Sequence, residues 1–451
     1  MHYLIIGNGA AGATAAETIR EQDPAGEITL VTAEPYPMYS RPGLAYIIIN
    51  EIPAQQVFAR RPEWYEQLRL NLVVGEAVTL DVQRRRVGLA DGRFLSYDRL
   101  LIATGARAVT PAYPGIDLPG VVYLDTYDGT QELLKQARRG RRAVVIGGGI
   151  TAMEMAEGLA HQGMDTHYFL RGDRLWSRVF DDIEGALLAE RMREHGVTIH
   201  FNTEITEVLG NWRGRVRGVR LKDGGEFKCD LLGVAIGVQP QLDLVAGTPI
   251  ETDRAILVDE MLRSSVPGIY AAGDCAQVYD RWTGKHMVDI LWPSAVAEGR
   301  AAGLSMVGRE RPYQKGTPFN ACLLFGLHVT AIGQVNPRPR GSDVDGEVVQ
   351  HLSRGSSEVW FTYPRHYQSA WAADGPNTVR LVVNEGRIVG ALLVGSQRLA
   401  DPLRYLIEHQ IDVSDWHDAL IEGGAALEAQ VMQFWQTLAS RRKSLSKLGS
   451  Q

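Results

Sequence analysis

The sequence predicts an α/β chain in which two doubly wound units are followed by an α+β domain. A β-branched apolar run ending in a glycine turn is written twice, as Leu4-Ile5-Ile6-Gly7-Asn8-Gly9-Ala10-Ala11-Gly12 and, 140 residues later, as Val144-Val145-Ile146-Gly147-Gly148-Gly149-Ile150-Thr151-Ala152. A second element also repeats, an apolar strand closing on Ala103-Thr104-Gly105 in the first copy and on Ala235-Ile236-Gly237 in the second. From about Lys315 the long apolar runs give way to short alternating ones. At 451 residues the chain is too long for one core, and about 100–200 residues per domain supports three.

In order, residues 3–6 read as a buried parallel strand, 10–19 as a helix rich in small residues, and 27–31 as a second strand. A less regular stretch leads to a strand at 100–105. The second unit repeats the plan with a strand at 142–146, a helix at 151–161, a strand at 166–170 and an apolar strand at 230–237. Pro111, Pro114 and Pro119 punctuate its entry and Pro240 its exit, so it reads as an insertion from 112 to 240. Residues 268–274 give one more short strand and 295–306 a helix. In the last region, 379–383 and 387–394 flank Asn384-Glu385-Gly386 as a hairpin. Leu427, Val431, Phe434, Trp435 and Leu438 share one helical face, suited to packing on this chain's own third domain or on a second copy.

Each glycine has a separate task in such a turn. The first permits the bend, the second lets backbone approach a pyrophosphate, and the third lets the helix lie close on the strand. Gly7, Gly9 and Gly12 satisfy all three, and Gly147, Gly149 and Ala152 do so with a larger third residue. Glu34 stands 22 residues beyond Gly12, near the offset at which a carboxylate holds a ribose hydroxyl. Two Rossmann-like dinucleotide-binding domains are therefore expected.

Composition narrows the partners. With 47 basic against 53 acidic residues and a net charge of −6, nothing favours nucleic acid or an anionic membrane, and a small molecule or soluble protein is expected. Cys229, Cys275 and Cys322 are widely spaced, with no C-x-x-C and no zinc pattern, as in a reducing cytoplasm. No metal site is expected, nor a cleavable signal or a bilayer span.

Gly7 to Gly12, the Thr104-Gly105 strand end, the second glycine turn with Glu154, and Gly273-Asp274 together resemble the FAD-dependent pyridine nucleotide-disulfide oxidoreductase superfamily. Tyr39-Ser40-Arg41-Pro42-Gly43-Leu44 resembles its rubredoxin reductase and nitrite reductase FAD-domain branch. The resemblance implies two domains of three-layer ββα type and a C-terminal α+β interface domain. It divides the chain into an FAD-binding domain at 1–111 and 241–314, an NAD(P)-binding domain at 112–240, and an interface or dimerisation domain at 315–451.

It also implies roles for residues. Gly7, Gly9, Ala11, Gly12 and Glu34 would bind the ADP half of FAD, with Arg41 and Pro42 near the isoalloxazine and Val78, Thr104 and Gly105 also along the cofactor. Asp274 would accept a hydrogen bond from the ribityl or pyrophosphate region, and Trp292 and Ala295 would lie by the pyrimidine end. Gly147, Gly149, Ala152 and Gly237 would frame the nicotinamide nucleotide, and Glu154 would face the nicotinamide. Glu154, Tyr46 and Arg41 are the candidate catalytic residues.

Three departures from the family pattern bear on function. No cysteine precedes Cys229, which disfavours disulfide and peroxide chemistry, and Cys275 reads as a buried filler. Tyr46 stands where many relatives carry a lysine that pairs with the glutamate matched by Glu154. The strand at 166–170 ends in Leu170 rather than an acid, followed by Arg171 and Arg174, which favours NADPH over NADH through charge-assisted bonds to a 2′-phosphate. The expected function is an FAD-dependent NAD(P)H oxidoreductase, a cytoplasmic homodimer, passing electrons to a small redox protein of rubredoxin or ferredoxin type or to a small-molecule acceptor. The alternative is an accessory or electron-relaying flavoprotein subunit of a larger complex, with weak or no NAD(P)H turnover.

Overall fold

The computed structural model describes residues 1–280, 284–335, 367–374 and 377–448, which form two compact units. The first comprises Met1–Arg171 and Gly196–Lys315. It holds two five-stranded parallel sheets. One runs in the order Ile269–Ala271, Arg99–Ile102, His2–Ile6, Glu27–Thr32, Asn71–Val74, with Leu4 opposite Thr29 on one side and Leu100 on the other. The other runs Val197–His200, Asp165–Phe169, Arg142–Ile146, Leu231–Val234, Val121–Val122. Parallel strands covered on both faces must be apolar throughout, which is why Leu4, Ile5, Leu100, Leu101 and Ile102 are all fully buried.

Each sheet is accompanied by a helix after its glycine turn, Ala10–Gln22 or Ile150–His161, and by a three-stranded antiparallel meander. The meanders are Ala77–Asp81, Arg86–Leu89, Phe94–Ser96 and Ile205–Gly210, Val216–Leu221, Glu226–Lys228. The repeat extends to single hydrogen bonds. Ala103 N donates to Ile6 O at 2.8 Å in the first copy, and Ala235 N to Ile146 O at 2.9 Å in the second. The outgoing and returning chains are zipped as an antiparallel pair, Ala106–Ala108 against Val238–Pro240. Below this ladder Thr104 Oγ1 donates to Gln241 O at 2.9 Å, and Gln241 Nε2 donates back to Thr104 O at 2.8 Å.

The helix Trp292–Met306 packs on Ala10–Gln22 through small residues. A Cβ at Gly299 would come within 2.2 Å of Ala11 O, so only glycine allows this approach. Among the described residues, no helix is long and apolar enough to cross a membrane.

The second unit gathers Gly172–His195 with the described residues beyond Gly316. Its antiparallel sheet runs Phe319–Leu324, Leu327–Gly333, Arg387–Val394, Asn377–Asn384, Tyr367–Asp374. The predicted hairpin is present, and its turn residues Glu385 and Gly386 both have positive φ, 47° and 69°, as a two-residue turn between twisted strands requires. Leu427 and Val431 are buried, with Phe434, Trp435 and Leu438 half-buried against the same core. Residues 172–195, which the sequence assigns to the 112–240 domain, cluster with this unit. Buried Arg380 on the central sheet donates to Glu184 Oε1 at 3.0 Å and to Val179 O at 2.6 Å, anchoring the capping-box helix Asp182–Glu194.

Candidate functional site

The first glycine turn lies at the carboxyl ends of the strands of its sheet, where ligands of open parallel sheets sit. Gly7 has φ +116°, and a Cβ there would meet Ala103 O at 2.0 Å. A Cβ at Gly12 would meet Gly7 O at 1.9 Å. Gly9 differs from both, because it is exposed and nothing lies within 4 Å of the space its Cβ would fill. It is also the N-cap of Ala10–Gln22, and no side chain caps that helix. Free amides, the positive end of the helix dipole and open space together fit a diphosphate.

Residues distant in sequence close round this turn. A Cβ at Gly273, whose φ is +78°, would lie 3.1 Å from Ala11 Cβ and 3.7 Å from Ala295 Cβ, so the turn that carries half-buried Asp274 is pinched between two helices. Half-buried Trp292 begins the second of these helices. Asn8, within the turn, is held 2.8 Å from Tyr65 Oη.

Behind the second strand, Glu34 accepts from Tyr39 Oη at 2.9 Å and from Arg41 Nη2 at 3.1 Å. Arg41 also donates to Asp125 O at 3.0 Å and pairs with Asp125 Oδ1 at 3.6 Å. Burial works against its charge, but Tyr39, Asp125, Glu34 and Asp274 outweigh burial and hold the guanidinium above its ordinary pKa. Tyr36, Tyr39, Phe58 and Tyr127 pack round this group with ring centroids 5.0–6.4 Å apart. Exposed Pro42 follows Arg41, and Val78 lies exposed on the strand Ala77–Asp81. The strand expected at 100–105 is Arg99–Ile102, and Thr104 and Gly105, the latter at φ +69°, lie in the turn that follows it.

The second turn repeats the backbone with different side chains. Gly147 has φ +147°, and its Cβ would meet Ala235 O at 2.1 Å. Gly149 is again an N-cap without a side-chain cap, and buried Ala152 takes the third position. Gly237, at φ +123°, ends the facing segment as Gly105 does in the first copy. A Cβ on Gly148 would lie 3.2 Å from Leu170 Cδ1, so an apolar, buried side chain occupies the strand end beside this turn. Arg171 follows it, exposed, within electrostatic reach of Glu204 and Tyr113. Arg174 lies in the second unit, where it pairs with Asp182 at 3.0 Å.

Glu154 is half-buried on the helix Ile150–His161. Burial pushes its carboxyl up to about 8, and the like charge of Glu157 adds to the shift. Half-buried Tyr46 lies on the short helix Leu44–Ile48, which packs on the same helix. A Cβ at Gly158 would meet Ile48 Cδ1 at 2.2 Å, and Gln162 Nε2 donates to Ile48 O at 2.7 Å.

The three cysteines are buried and form no disulfide with one another, and burial pushes the Cys229 thiol up to about 12. Among the residues of this site not singled out in the sequence are Asp125, Tyr65, Gln241 and Glu298, whose carboxyl accepts from Gly273 N at 2.7 Å. Each lies far along the chain from its partner, where local pattern carries no signal.

The family model of the pyridine nucleotide-disulphide oxidoreductases matches residues 1–299. The chain is 30% identical over 408 residues, 89% of its length and 93% of the relative's, to the NADH-dependent phenylglyoxylate dehydrogenase subunit epsilon of Aromatoleum evansii. It is 29% identical to the ferredoxin–NAD(+) reductase subunit of the benzene 1,2-dioxygenase system of Pseudomonas putida, covering 89% of this chain and 95% of that one. Its fold matches a ferredoxin reductase from Rhodopseudomonas palustris with a TM-score of 0.79 at 24% identity, over 91% of this chain and 95% of the other. The paired glycine turns thus stand in a known setting, and the chain belongs to the pyridine nucleotide-disulphide oxidoreductase family as an NAD(P)H-dependent flavoprotein oxidoreductase.

Proposed function

We propose that this chain takes hydride from NAD(P)H onto FAD and delivers the electrons to a separate carrier, a small redox protein of ferredoxin or rubredoxin type. The open diphosphate cradle at Gly9, beside the Glu34–Arg41–Asp125 group, is the observation that carries this reading. Bound FAD would supply the hydride acceptor and the outgoing electron donor. The protein's part is to bind and orient. Gly7, Gly9, Ala11 and Gly12 would meet the pyrophosphate, with Glu34 on the ribose and Arg41, Pro42, Val78, Thr104, Gly105, Asp274, Trp292 and Ala295 along the rest of the cofactor. Gly147, Gly149, Ala152 and Gly237 would receive the nicotinamide nucleotide. Glu154 would meet the nicotinamide as a neutral acid, on a helix packed by the one that carries Tyr46.

With its cysteines buried and none before Cys229, an outgoing carrier is favoured over an internal disulfide. NADPH is the proposed coenzyme, since Leu170 offers no carboxylate to a 2′-hydroxyl and Arg171 offers a cation to a 2′-phosphate. A homodimer in the cytoplasm completes the proposal.

The second reading, an electron-relaying subunit of a larger complex, is favoured by the similarity to the epsilon subunit of phenylglyoxylate dehydrogenase along almost the whole of both chains. Anaerobic electron delivery separates the two. With excess NADPH, catalytic reduction of added ferredoxin or rubredoxin supports the reductase. A flavin that coenzyme reduces but that passes electrons to neither carrier supports the relay subunit.

A further inference from the structure

The carboxyl that meets the Gly273 amide belongs to Glu298, on Trp292–Met306 one turn beyond Ala295 and only 1% exposed. A glutamate is an unusual tenant for that position, because a carboxyl taken out of water needs a specific partner. Its partner is a backbone N–H at the point where three elements meet. Gly273 at φ +78° faces Ala11 on one side and Ala295 on the other, and Gly299, next to Glu298, closes on Ala11 O. The surrounding helices thus hold the turn from its sides, and Glu298 alone supplies the described acceptor for its amide. The residue that follows this amide is Asp274.

The groups that face Glu298 favour its neutral form. Burial raises its pKa well above the ordinary carboxyl value, Asp289 and Asp274 add to the rise, and the Gly273 amide and Lys315 oppose it. Behind it, buried Lys315 lies 3.6 Å from Asp280 and 3.7 Å from Asp289, and Ser294 Oγ donates to Asp289 Oδ2 at 2.7 Å. Burial, with the Asp289 and Asp280 charges, also raises the Tyr313 phenol. A neutral carboxyl keeps a carbonyl oxygen that can accept from the amide, and so does a carboxamide.

We propose that Glu298 is a positioning residue of the flavin site, holding the Gly273 amide and through it the turn from which Asp274 meets FAD. This rests on the reading of the first glycine turn as an FAD site. The test uses full-length protein stripped of flavin and titrated with FAD, read by flavin fluorescence and by the visible absorbance bands of the bound form. Glu298→Gln is expected to bind within about twofold of wild type, with the same bands. Glu298→Leu, similar in bulk but without an acceptor, is expected to bind about tenfold or more weakly, with shifted bands, because the buried N–H is left unsatisfied.

Thermal unfolding of the stripped proteins separates lost folding from lost positioning. A Leu variant with wild-type affinity and spectrum overturns the proposal, whatever its melting temperature. A Gln variant as impaired as the Leu variant also overturns it. Failure of the wild-type chain to take up FAD is seen before any variant is made, and overturns the flavin reading beneath it.

Discussion

The two glycine turns share a backbone and differ in what surrounds it. In both, the first glycine has positive φ and a carbonyl oxygen about a van der Waals radius from where a Cβ would be, Ala103 O in one and Ala235 O in the other. The divergence lies in the third position and at the end of the next strand. The first copy has Gly12 with no room for a methyl, and a carboxylate, Glu34, tied to Arg41 and Tyr39. The second has buried Ala152, and Leu170 packed under Gly148. The two turns share their backbone geometry, and the proposed difference in nucleotide rests on the side chains at the strand end.

The largest expected effect separates backbone from ligand at the first turn. Gly7→Ala must relieve a 2.0 Å clash at positive φ and is expected to lose roughly 3 kcal/mol or more of stability, measured by chemical unfolding. Gly9→Ala meets nothing and keeps an ordinary φ of −91°, so stability should stay within about 0.5 kcal/mol while FAD affinity falls, since the methyl enters the cradle. If Gly9→Ala binds FAD as well as wild type, the cradle is misplaced.

A smaller effect is expected at the second turn. Arg171→Ala should weaken NADPH by roughly tenfold and leave NADH nearly unchanged, as the loss of a charge-assisted bond to one phosphate would do. Equal losses for both coenzymes would remove the distinction drawn between the two strand ends.

The smallest is a pH effect at Glu154. Its pKa is raised on folding to about 8, so between its ordinary value and 8 the folded chain binds more protons than the unfolded one. The strain of ionising it is absent at low pH, grows as pH rises through that window, and is complete above it. Glu154→Gln should therefore match wild type near pH 4.5 and exceed its stability by roughly 1–2 kcal/mol at pH 8 and above, in flavin-free protein. A constant difference across pH would assign Glu154 a different environment.

Much of this architecture was legible because it depends on local constraint. The apolar runs of the parallel strands, the glycines at forced backbone angles and the Asn384-Glu385-Gly386 turn each carry their own signal. Less was visible where strands are short. Phe94–Ser96 and Arg86–Leu89 alternate too briefly to announce the first meander, which fell within a stretch read as irregular. Long-range pairs were hidden altogether. Arg380 and Glu184 are 196 residues apart, and their buried bond helps decide where residues 172–195 pack. Arg41 and Asp125, 84 residues apart, complete a charged group of which the sequence showed only one side.

The inequality of the two turns is tested most directly by mixing the FAD-loaded protein anaerobically with increasing NADPH and, separately, NADH, and following loss of the flavin's visible absorbance. The account predicts that both coenzymes bleach the flavin and that NADPH does so at the lower concentration. Bleaching by NADH at the lower concentration would contradict the assignment at Leu170 and Arg171, and bleaching by neither would contradict the second turn as a nicotinamide site.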